Sequence, residues 1–425
     1  MSQTVLLDPV RILVGSGQEV IQAGAALLQN DRLVAFGEEA RSRAAQAGTP
    51  TRSAASQLLA PCLVDPHSSL EQPFGEHGEN LQSLCHAAAR AGYGQVALLP
   101  RAKAWRDRIE RLHGFRCGES DVKLHLWGAL SLEGQGQQLS CHGDLLEQGA
   151  IGLCDGEAIP AAGVLQRSLV LGEMGQAPVL VAPRDPELQG SGMVREGVET
   201  LRAGWPMDPV ASETLPLGQI LELQRLHPDR RLWAMNLSTA EGVSLLRQTG
   251  QRPHASVHWW HLIKDRSQLP LTAMGWCVRP SLGGPADREA LLDAVETGLI
   301  QAIAVHAVPL DTEDCLLPPG QRPPGLVGHQ VVLPLLWKAL IQARHWSISQ
   351  LWQLLSFGPS QLLGQPEERL TIGSNRWLLF DPDHCWTASS QHQDGSRGAN
   401  LPVAGETIRG AVVDCGLRSP ECRHG

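Results

Sequence analysis

Short apolar runs alternate with longer amphipathic stretches from residue 58 onward. The runs have the length of buried strands and lie at 58–64, 95–99, 122–127, 150–153, 178–182, 231–236, 273–278 and 300–305. Amphipathic segments such as 79–92 and 287–298 lie between them, and the second predicts a helix that begins at a capping Asp287 and stops at Gly298. Eight strands that alternate with helices predict a parallel α/β architecture, most economically a (β/α)8 barrel over residues 58–365.

The two ends of the chain have a different pattern. Residues 1–57 contain short apolar segments punctuated by glycines, which is typical of strands joined by turns, and this pattern returns after about residue 366. We expect residues 1–57 and 366–425 to pair into one small β-sandwich domain beside the barrel.

Composition indicates a globular protein that is free in solution. The 425 residues are 42% hydrophobic and 19% charged, which allows a large core. No apolar run reaches the roughly 18 residues of a membrane span, and the N-terminal segment lacks a secretory signal, so we expect a cytoplasmic protein without a membrane partner. The net charge of −9, without a basic groove, argues against nucleic acid as a partner. Ten cysteines without a CxxC pair argue against a structural zinc site and a disulfide framework.

Six strings resemble, in the right order, the dihydroorotase family of the amidohydrolase superfamily, especially its longer class I type. They are LLAPCLVDPHSSLEQP, GENLQSLCHAAARAGYGQVALLPRA, NLSTAEGVSLLRQTGQ, DREALLDAVETGLIQAIAVHAVPLD, PPGLVGHQVVLPLLW and SRGANLPVAGETIRGAVVDCG. The resemblance covers nearly the whole chain. It implies the same barrel with a small β domain and, for an active member, zinc-dependent hydrolysis of a cyclic amide.

The family's metal ligands are mostly replaced in this sequence. In its D-x-H-x-H-x-R string, two histidines on one face of the first barrel strand bind the metal, because residues two apart on a strand point the same way. Here Asp65 and His67 remain, whereas Ser69 stands in place of the second histidine and Glu71 in place of the arginine. The resemblance leaves His67 and Asp155 as vestigial metal ligands, Asp155 being nearest the family's bridging lysine or aspartate.

Other family positions are changed as well. His306 occupies the place of the catalytic strand-eight aspartate, and Asn236 that of a metal-binding histidine. Arg101 replaces the asparagine after strand two and Arg184 the glutamate of strand five, so these two arginines are candidates for binding a substrate or another anion. A catalytic zinc needs three protein ligands and one open position, which this inherited set does not supply.

The sequence therefore favours a dihydroorotase homologue without catalysis or a cofactor, with a structural or regulatory role in pyrimidine biosynthesis. The family implies aspartate carbamoyltransferase as a partner and a homo- or hetero-oligomer. A first alternative is an active cyclic-amide hydrolase whose zinc site has moved to His67, Asp155, His258, His261 or His306. A second is a sensor whose barrel mouth binds a small molecule without converting it.

Overall fold

The computed structural model describes residues 4–75, 78–112, 115, 120–270, 273–389 and 396–417. The strands are β1 (Thr4–Ile12), β2 (Ile21–Gln29), β3 (Arg32–Phe36), β4 (Thr51–Pro61), β5 (Leu63–Ser68), β6 (Tyr93–Leu98), β7 (Lys123–Leu126), β8 (Gly128–Ala129), β9 (Leu153–Cys154), β10 (Val179–Val181), β11 (Val194–Arg195), β12 (Met207–Asp208), β13 (Leu232–Ala234), β14 (His254–His258), β15 (Ala302–Ala304), β16 (Trp377–Thr387) and β17 (Thr407–Cys415).

The α-helices are α1 (Gly37–Ala47), α2 (Leu81–Arg90), α3 (His142–Glu147), α4 (Ala162–Leu171), α5 (Pro186–Gln189), α6 (Val198–Ala203), α7 (Ala211–Leu226), α8 (Ala240–Gln248), α9 (Trp260–Ile263), α10 (Pro285–Glu296), α11 (Thr312–Leu316), α12 (His329–Leu336), α13 (Ile348–Trp352) and α14 (Gly358–Leu362). Two π-helical turns, Trp337–Gln342 and Gln353–Phe357, continue α12 and α13. None of the described helices is long and apolar enough to cross a bilayer.

Parallel strands form the barrel. The sheet β5–β6–β7 and the sheet β8–β9–β10–β13–β14–β15 are joined because β7 and β8 are two parts of one strand, interrupted at Trp127. At the other seam β15 lies beside β5, where Val305 N donates to Asp65 Oδ1 over 3.1 Å and Ser69 N donates to the Ala307 carbonyl over 2.7 Å. The eight resulting positions form the barrel that the apolar pattern predicts, and most of their residues outside β7 are buried on both faces, as is typical of parallel sheets.

Both ends of the chain contribute to one six-stranded sheet, in the spatial order β17–β16–β4–β1–β2–β3. Strand β1 pairs with β4 in parallel and with β2 antiparallel, and β16 pairs antiparallel with β4 and β17. Strand β4 runs on to Pro61, across the boundary expected at residue 57, and leads directly into β5. This continuity fixes the first barrel strand to the terminal sheet.

Three local predictions differ from the structure. The expected strand at 273–278 is absent, and a 3₁₀ turn at Met274–Trp276 takes its place because Gly275 packs under the Trp260 ring, where a Cβ would lie 2.5 Å from a ring carbon. The seventh barrel strand is instead β14. The sequence pattern does not predict it because polar residues stand at both of its ends. Helix α1 lies in the segment 1–57, for which the pattern predicts strands and turns without a helix, and Gly48 ends it in a left-handed cap with φ of 62°.

The capping of α10 also differs in detail from the prediction. Gly284 is its N-cap residue, and Asp287 lies one turn further on. The Asp287 carboxylate accepts from the backbone N–H of Gly284 over 2.7 Å and from that of Ala240 over 2.9 Å. Asp287 therefore stabilises the start of α10 as expected from a first-turn carboxylate, and it also links α10 to α8.

Large aromatic side chains fill the interior. Five tryptophans are less than 2% exposed: Trp127, Trp233, Trp259, Trp260 and Trp352. Each therefore contributes a large apolar area to the core. The cysteines follow the expectation only in part, since seven of the described ones carry free thiols whereas Cys85 is disulfide-bonded.

Candidate functional site

The carboxyl ends of the barrel strands bring the chemically active side chains together. His67 lies at the end of β5, Ser256 and His258 lie on β14, and His306 follows β15. Glu157 lies in the loop after β9. Because parallel strands point the same way around a barrel, their carboxyl ends form one mouth, which is where barrel enzymes hold their active sites.

A continuous line of polar contacts crosses the floor of this mouth. Ser256 Oγ lies 3.0 Å from His67 Nε2, and His67 Nδ1 lies 3.0 Å from His306 Nδ1. His306 Nε2 lies 3.5 Å from Glu157 Oε1, and Arg279 donates to Glu157 Oε2 over 3.2 Å. We call Ser256, His67, His306 and Glu157 the histidine chain. The two imidazoles are almost wholly enclosed, with exposures of 0% and 2%.

One set of protonation states satisfies every contact of the histidine chain. Asn236 N donates to Ser256 Oγ, the serine hydroxyl donates to His67 Nε2, and His67 Nδ1–H donates to His306. His306 then presents Nε2–H to the Glu157 carboxylate. Both ring nitrogens of His67 are already used by protein partners in this arrangement.

Burial and neighbouring charges together set the pKa values in the histidine chain. Burial lowers the pKa of His67 well below the usual histidine value, and the proximity of His306 acts in the same direction. For Glu157, burial alone would raise the pKa of the carboxyl group. The hydrogen bond from His306 and the charges of Arg279 and Arg184 outweigh burial, so the pKa of Glu157 lies below its ordinary value and the group is a carboxylate at neutral pH.

Asp65 joins three elements rather than facing the mouth. Its carboxylate accepts from Val305 N, from the Ser68 hydroxyl and from His329 Nε2, the last over 3.0 Å. Ser68 Oγ in turn accepts from Ala307 N over 2.7 Å. Asp65 therefore fixes β5 to β15 and to the start of α12. His329 was not singled out from the sequence, although it lies within the string PPGLVGHQVVLPLLW.

Asp155 makes its hydrogen bonds to Ser131 and not to His67. Its two carboxylate oxygens accept from the backbone N–H and the hydroxyl of Ser131, over 2.8 and 2.6 Å. Burial raises the pKa of Asp155, opposed by these hydrogen bonds. Its role in this structure is to hold the loop after β8 to the end of β9.

His258 and His261 do approach the histidine chain. The ring centroid of His258 lies 5.7 Å from that of His306 and 5.4 Å from that of His261. His258 Nδ1 accepts from Trp260 N over 3.0 Å, and His261 Nε2 lies 3.1 Å from the Pro280 carbonyl oxygen. Burial lowers the pKa of both rings, that of His261 to about 4, so both are neutral bases at pH 7.

The zinc that the family resemblance implies does not fit this donor set. Across the described ranges of the chain, no three histidine, cysteine, aspartate or glutamate side chains are arranged to hold a metal ion. His67 has both nitrogens engaged, and Asp155 is committed to Ser131. A serine at position 69 and an asparagine at position 236 offer poor ligands for zinc.

A small pocket adjoins the histidine chain. Its volume is about 20 Å³, and its walls are Glu157, Ala182, Pro183, Arg184, Met235, Asn236, Arg279, Pro280 and His306. Of the two arginines expected to bind an anion, Arg184 lines this pocket, whereas Arg101 does not. The charge of Arg101 nevertheless contributes to lowering the pKa of Arg184.

The sequence did not single out Glu157, Ser256 and Arg279. Glu157 lies two residues after Asp155, close to the end of a predicted strand. The family resemblance favours Asp155 instead, because Asp155 aligns with the family's bridging residue. Ser256 lies within the strand that the pattern missed. Arg279 lies directly after the segment wrongly expected to be a strand.

Comparisons with known proteins give a consistent result. No protein-family model matches the chain. It is 33% identical over 391 residues to the "Probable dihydroorotase-like protein" of Synechocystis, covering 84% of this chain and 87% of that one. It is 30% identical over 416 residues to the "Dihydroorotase-like protein" of Pseudomonas aeruginosa, covering 96% and 95%. It is 27% identical to the "Dihydroorotase" of Listeria welshimeri, covering 85% and 86%.

Solved structures agree on the fold. The L-hydantoinase of Arthrobacter aurescens superposes with a TM-score of 0.78 at 18% identity, covering 99% of this chain and 95% of that one. The dihydropyrimidinase of Brevibacillus agri has a TM-score of 0.75 at 18% identity, covering 98% and 93%. At this identity the likeness concerns the fold alone, and it confirms a (β/α)8 barrel with a β-rich domain.

Proposed function

Because the chain belongs to the dihydroorotase-like family of amidohydrolases, we propose that it keeps the family's barrel without metal-dependent hydrolysis. Its role on this proposal is structural or regulatory, in pyrimidine biosynthesis. The observation that carries the proposal is the histidine chain, in which protein groups use the nitrogens of His67 and His306 that a metal enzyme would leave for its cofactor.

The chemistry of amide hydrolysis explains why this observation matters. Attack on a cyclic amide needs a water whose pKa has been brought near neutral and a base that accepts its proton. His67 is tied to Ser256 and His306, and the position after β15 holds His306 rather than a carboxylate. Glu157 is a carboxylate in the mouth, but it is held by Arg279 and His306. These contacts engage His67, His306 and Glu157 with protein partners, which supports a site without amide hydrolysis.

The second part of the proposal is a partner, aspartate carbamoyltransferase, within a hetero-oligomer. Support comes from exposed apolar side chains on the helices α4, α6 and α7. Large apolar residues there are 49–66% exposed: Val170, Leu171, Val198, Leu201, Leu215 and Leu226. Large apolar side chains that are exposed in the single chain are candidates for burial against a partner.

Co-expression with the catalytic chain of aspartate carbamoyltransferase from the same organism tests the partnership. We expect one complex in size-exclusion chromatography with light scattering, weakened at least tenfold by the double variant Leu201→Asp and Leu215→Asp. Leu316→Asp is the matched control, since Leu316 is 80% exposed on α11 and lies outside this group of helices. Two separate peaks at micromolar concentration would contradict the partnership.

A second candidate is an active cyclic-amide hydrolase with zinc at a relocated site. The approach of four histidines, His67, His258, His261 and His306, favours it. Dialysis against zinc followed by metal analysis separates the candidates. We expect much less than one zinc per chain, whereas one zinc per chain that resists extensive washing would favour the hydrolase.

A further inference from the structure

Asn236 is the strongest sign of a missing ligand. Its side chain lines the pocket beside the histidine chain, and the residue is 3% exposed. Neither Oδ1 nor Nδ2 has a hydrogen-bond partner within the described structure. Leaving a buried amide unpaired costs a free energy comparable to several ordinary hydrogen bonds. An amide with a free donor and a free acceptor is suited to a ligand that carries both.

The backbone holds Asn236 in this orientation. Asn236 N donates to Ser256 Oγ over 3.0 Å, and the residue adopts φ of 55°, a left-handed conformation that asparagine tolerates better than most residues. The conformation places the side chain after the end of β13, at the barrel mouth. The backbone of Asn236 is therefore held in place, and its amide lies within the pocket at 3% exposure of the residue.

The pocket also carries an excess of positive charge. Arg184 is 8% exposed and donates to the Glu157 carbonyl and to Gln189 Oε1, both neutral acceptors. Arg279 donates to the Glu157 carboxylate over 3.2 Å. Two guanidinium groups thus face one carboxylate. Burial lowers the pKa of Arg184 to about 10; the negative charges of Glu157 and Asp208 oppose this shift, and the positive charges of Arg279 and Arg101 add to it.

Size and shape limit what can enter. The volume of about 20 Å³ is little more than one water requires, so the pocket admits only one end of a ligand whose remainder lies in the barrel mouth, and Pro183, Met235 and Pro280 supply apolar walls. A planar carboxylate matches the guanidinium fork, whereas a tetrahedral dianion would be repelled by Glu157. The acceptor Oδ1 of Asn236 calls for a donor close to that carboxylate.

We propose that this pocket binds a small carboxylate with a hydroxyl or amino donor on the neighbouring carbon. The carboxylate lies against Arg184 and Arg279 and accepts from Asn236 Nδ2, and the donor group faces Asn236 Oδ1. The inference rests on the proposed function in one respect, namely that the ligand is held and not hydrolysed. Binding of such a carboxylate at the barrel mouth would regulate the protein.

The test compares glycolate, which has both groups, with acetate, which has only the carboxylate. Binding to the full chain is followed by saturation-transfer NMR and by thermal shift. We expect one glycolate per chain, bound about threefold to tenfold more tightly than acetate because one more hydrogen bond forms. Equal affinities for glycolate and acetate, or no binding of either, would overturn the inference.

Variants locate the site. Asn236→Asp is isosteric and tolerates the left-handed backbone, but it removes the donor and adds a negative charge, so we expect glycolate affinity to fall at least tenfold. Arg279→Gln is the second pocket variant and is used if Asn236→Asp does not fold. The Arg279 side chain is partly exposed, and its replacement should weaken glycolate binding severalfold. Arg247→Gln removes an exposed arginine paired with Asp293 and is the matched control. Unchanged glycolate binding in both pocket variants would contradict the assignment.

A dihydroorotase assay on the same preparation separates this inference from the proposed function. Glycolate binding together with dihydroorotate turnover contradicts the proposed function and leaves the pocket intact. Absence of glycolate binding together with absence of turnover contradicts the pocket and leaves the proposed function intact.

Discussion

His67 shows how one residue can keep its place in a family sequence while its contacts change. The sequence presents it as the remaining half of a two-histidine metal pair. In the structure it lies fully buried between Ser256 and His306, with both ring nitrogens 3.0 Å from a partner. Comparison with the family string shows that Ser69 stands in place of the second histidine. It does not show which protein groups contact His67 instead of a metal. That depends on Ser256 and Glu157, which come from distant segments of the chain.

Removing His67 should therefore affect stability. His67→Ala leaves a cavity and leaves Ser256 Oγ and His306 Nδ1 without partners, so we expect the free energy of unfolding to fall by about 2–4 kcal/mol. Urea denaturation measures the change. His384→Ala, at an exposed ring, is the control for replacing a histidine. A His67→Ala protein as stable as the unchanged chain would argue against a structural role for this histidine.

Stability should also depend on pH through the buried histidines. Burial lowers the pKa of His261 and of His125 to about 4, and that of His67 and His258 well below the usual value. The unfolded chain binds protons at these rings below about pH 6.5, whereas the folded chain does not. Their contribution is therefore fully present above pH 6.5 and is lost as the pH falls toward 4, by up to about 1.4 kcal/mol per pH unit for each histidine.

Urea denaturation at pH 7, 6 and 5 measures this slope. His125→Gln should reduce it by about one histidine's share, since His125 Nε2 lies 2.8 Å from Gln95 Oε1 in a largely buried position. His384→Gln is the exposed counterpart. Stability that stays level or rises between pH 6.5 and 5 would contradict the neutral, buried state of the histidines.

At the scale of elements, apolar periodicity predicted seven of the eight barrel strands and the start of the terminal sheet. It failed at β14, because a strand with histidines at both ends resembles a polar segment, and at 273–278, because an apolar run packed on Trp260 needs no strand partners. Both failures have one origin. Local patterns record burial, whereas strand pairing is decided by contacts with residues far away in the chain.

A buried ionic network connects the elements between β10 and β13. Arg195 on β11 pairs with Asp208 on β12 over 3.1 Å and with Glu213 on α7 over 3.1 Å. Glu213 also accepts from the backbone N–H groups and hydroxyls of Ser238 and Thr239, ahead of α8. All of these side chains are almost fully buried, so the carboxylate of Glu213 fixes two helices and one strand relative to each other.

Glu213→Gln should be strongly destabilising. The substitution leaves Arg195 with less negative charge around it and turns an acceptor into a donor that faces other donors, so we expect a loss of about 3–5 kcal/mol in the free energy of unfolding. Glu222→Gln is the matched control, because Glu222 pairs with Arg225 on the exposed face of the same helix and should leave stability unchanged. Equal losses of unfolding free energy for Glu213→Gln and Glu222→Gln in urea denaturation would contradict the explanation that burial makes Glu213 important.

At the scale of the whole molecule, fold and chemistry were predictable to different degrees. Six ordered strings and the apolar pattern were sufficient for the barrel and the β-rich domain, which the relatives and solved structures confirm. The pocket was not predictable, since it depends on Asn236, Arg279 and Glu157 meeting at the ends of three different barrel segments. Similarity to a family therefore establishes the architecture of this chain more firmly than its chemistry.

The central claim is that this member of the family does not hydrolyse its relatives' substrates. A dihydroorotase assay in both directions, on folded protein with added zinc, tests it most directly. We expect turnover no faster than in a control without protein, at every pH from 6 to 9. Turnover above that control that a chelator abolishes would show that the protein is an active hydrolase and would favour a relocated zinc site among His67, His258, His261 and His306.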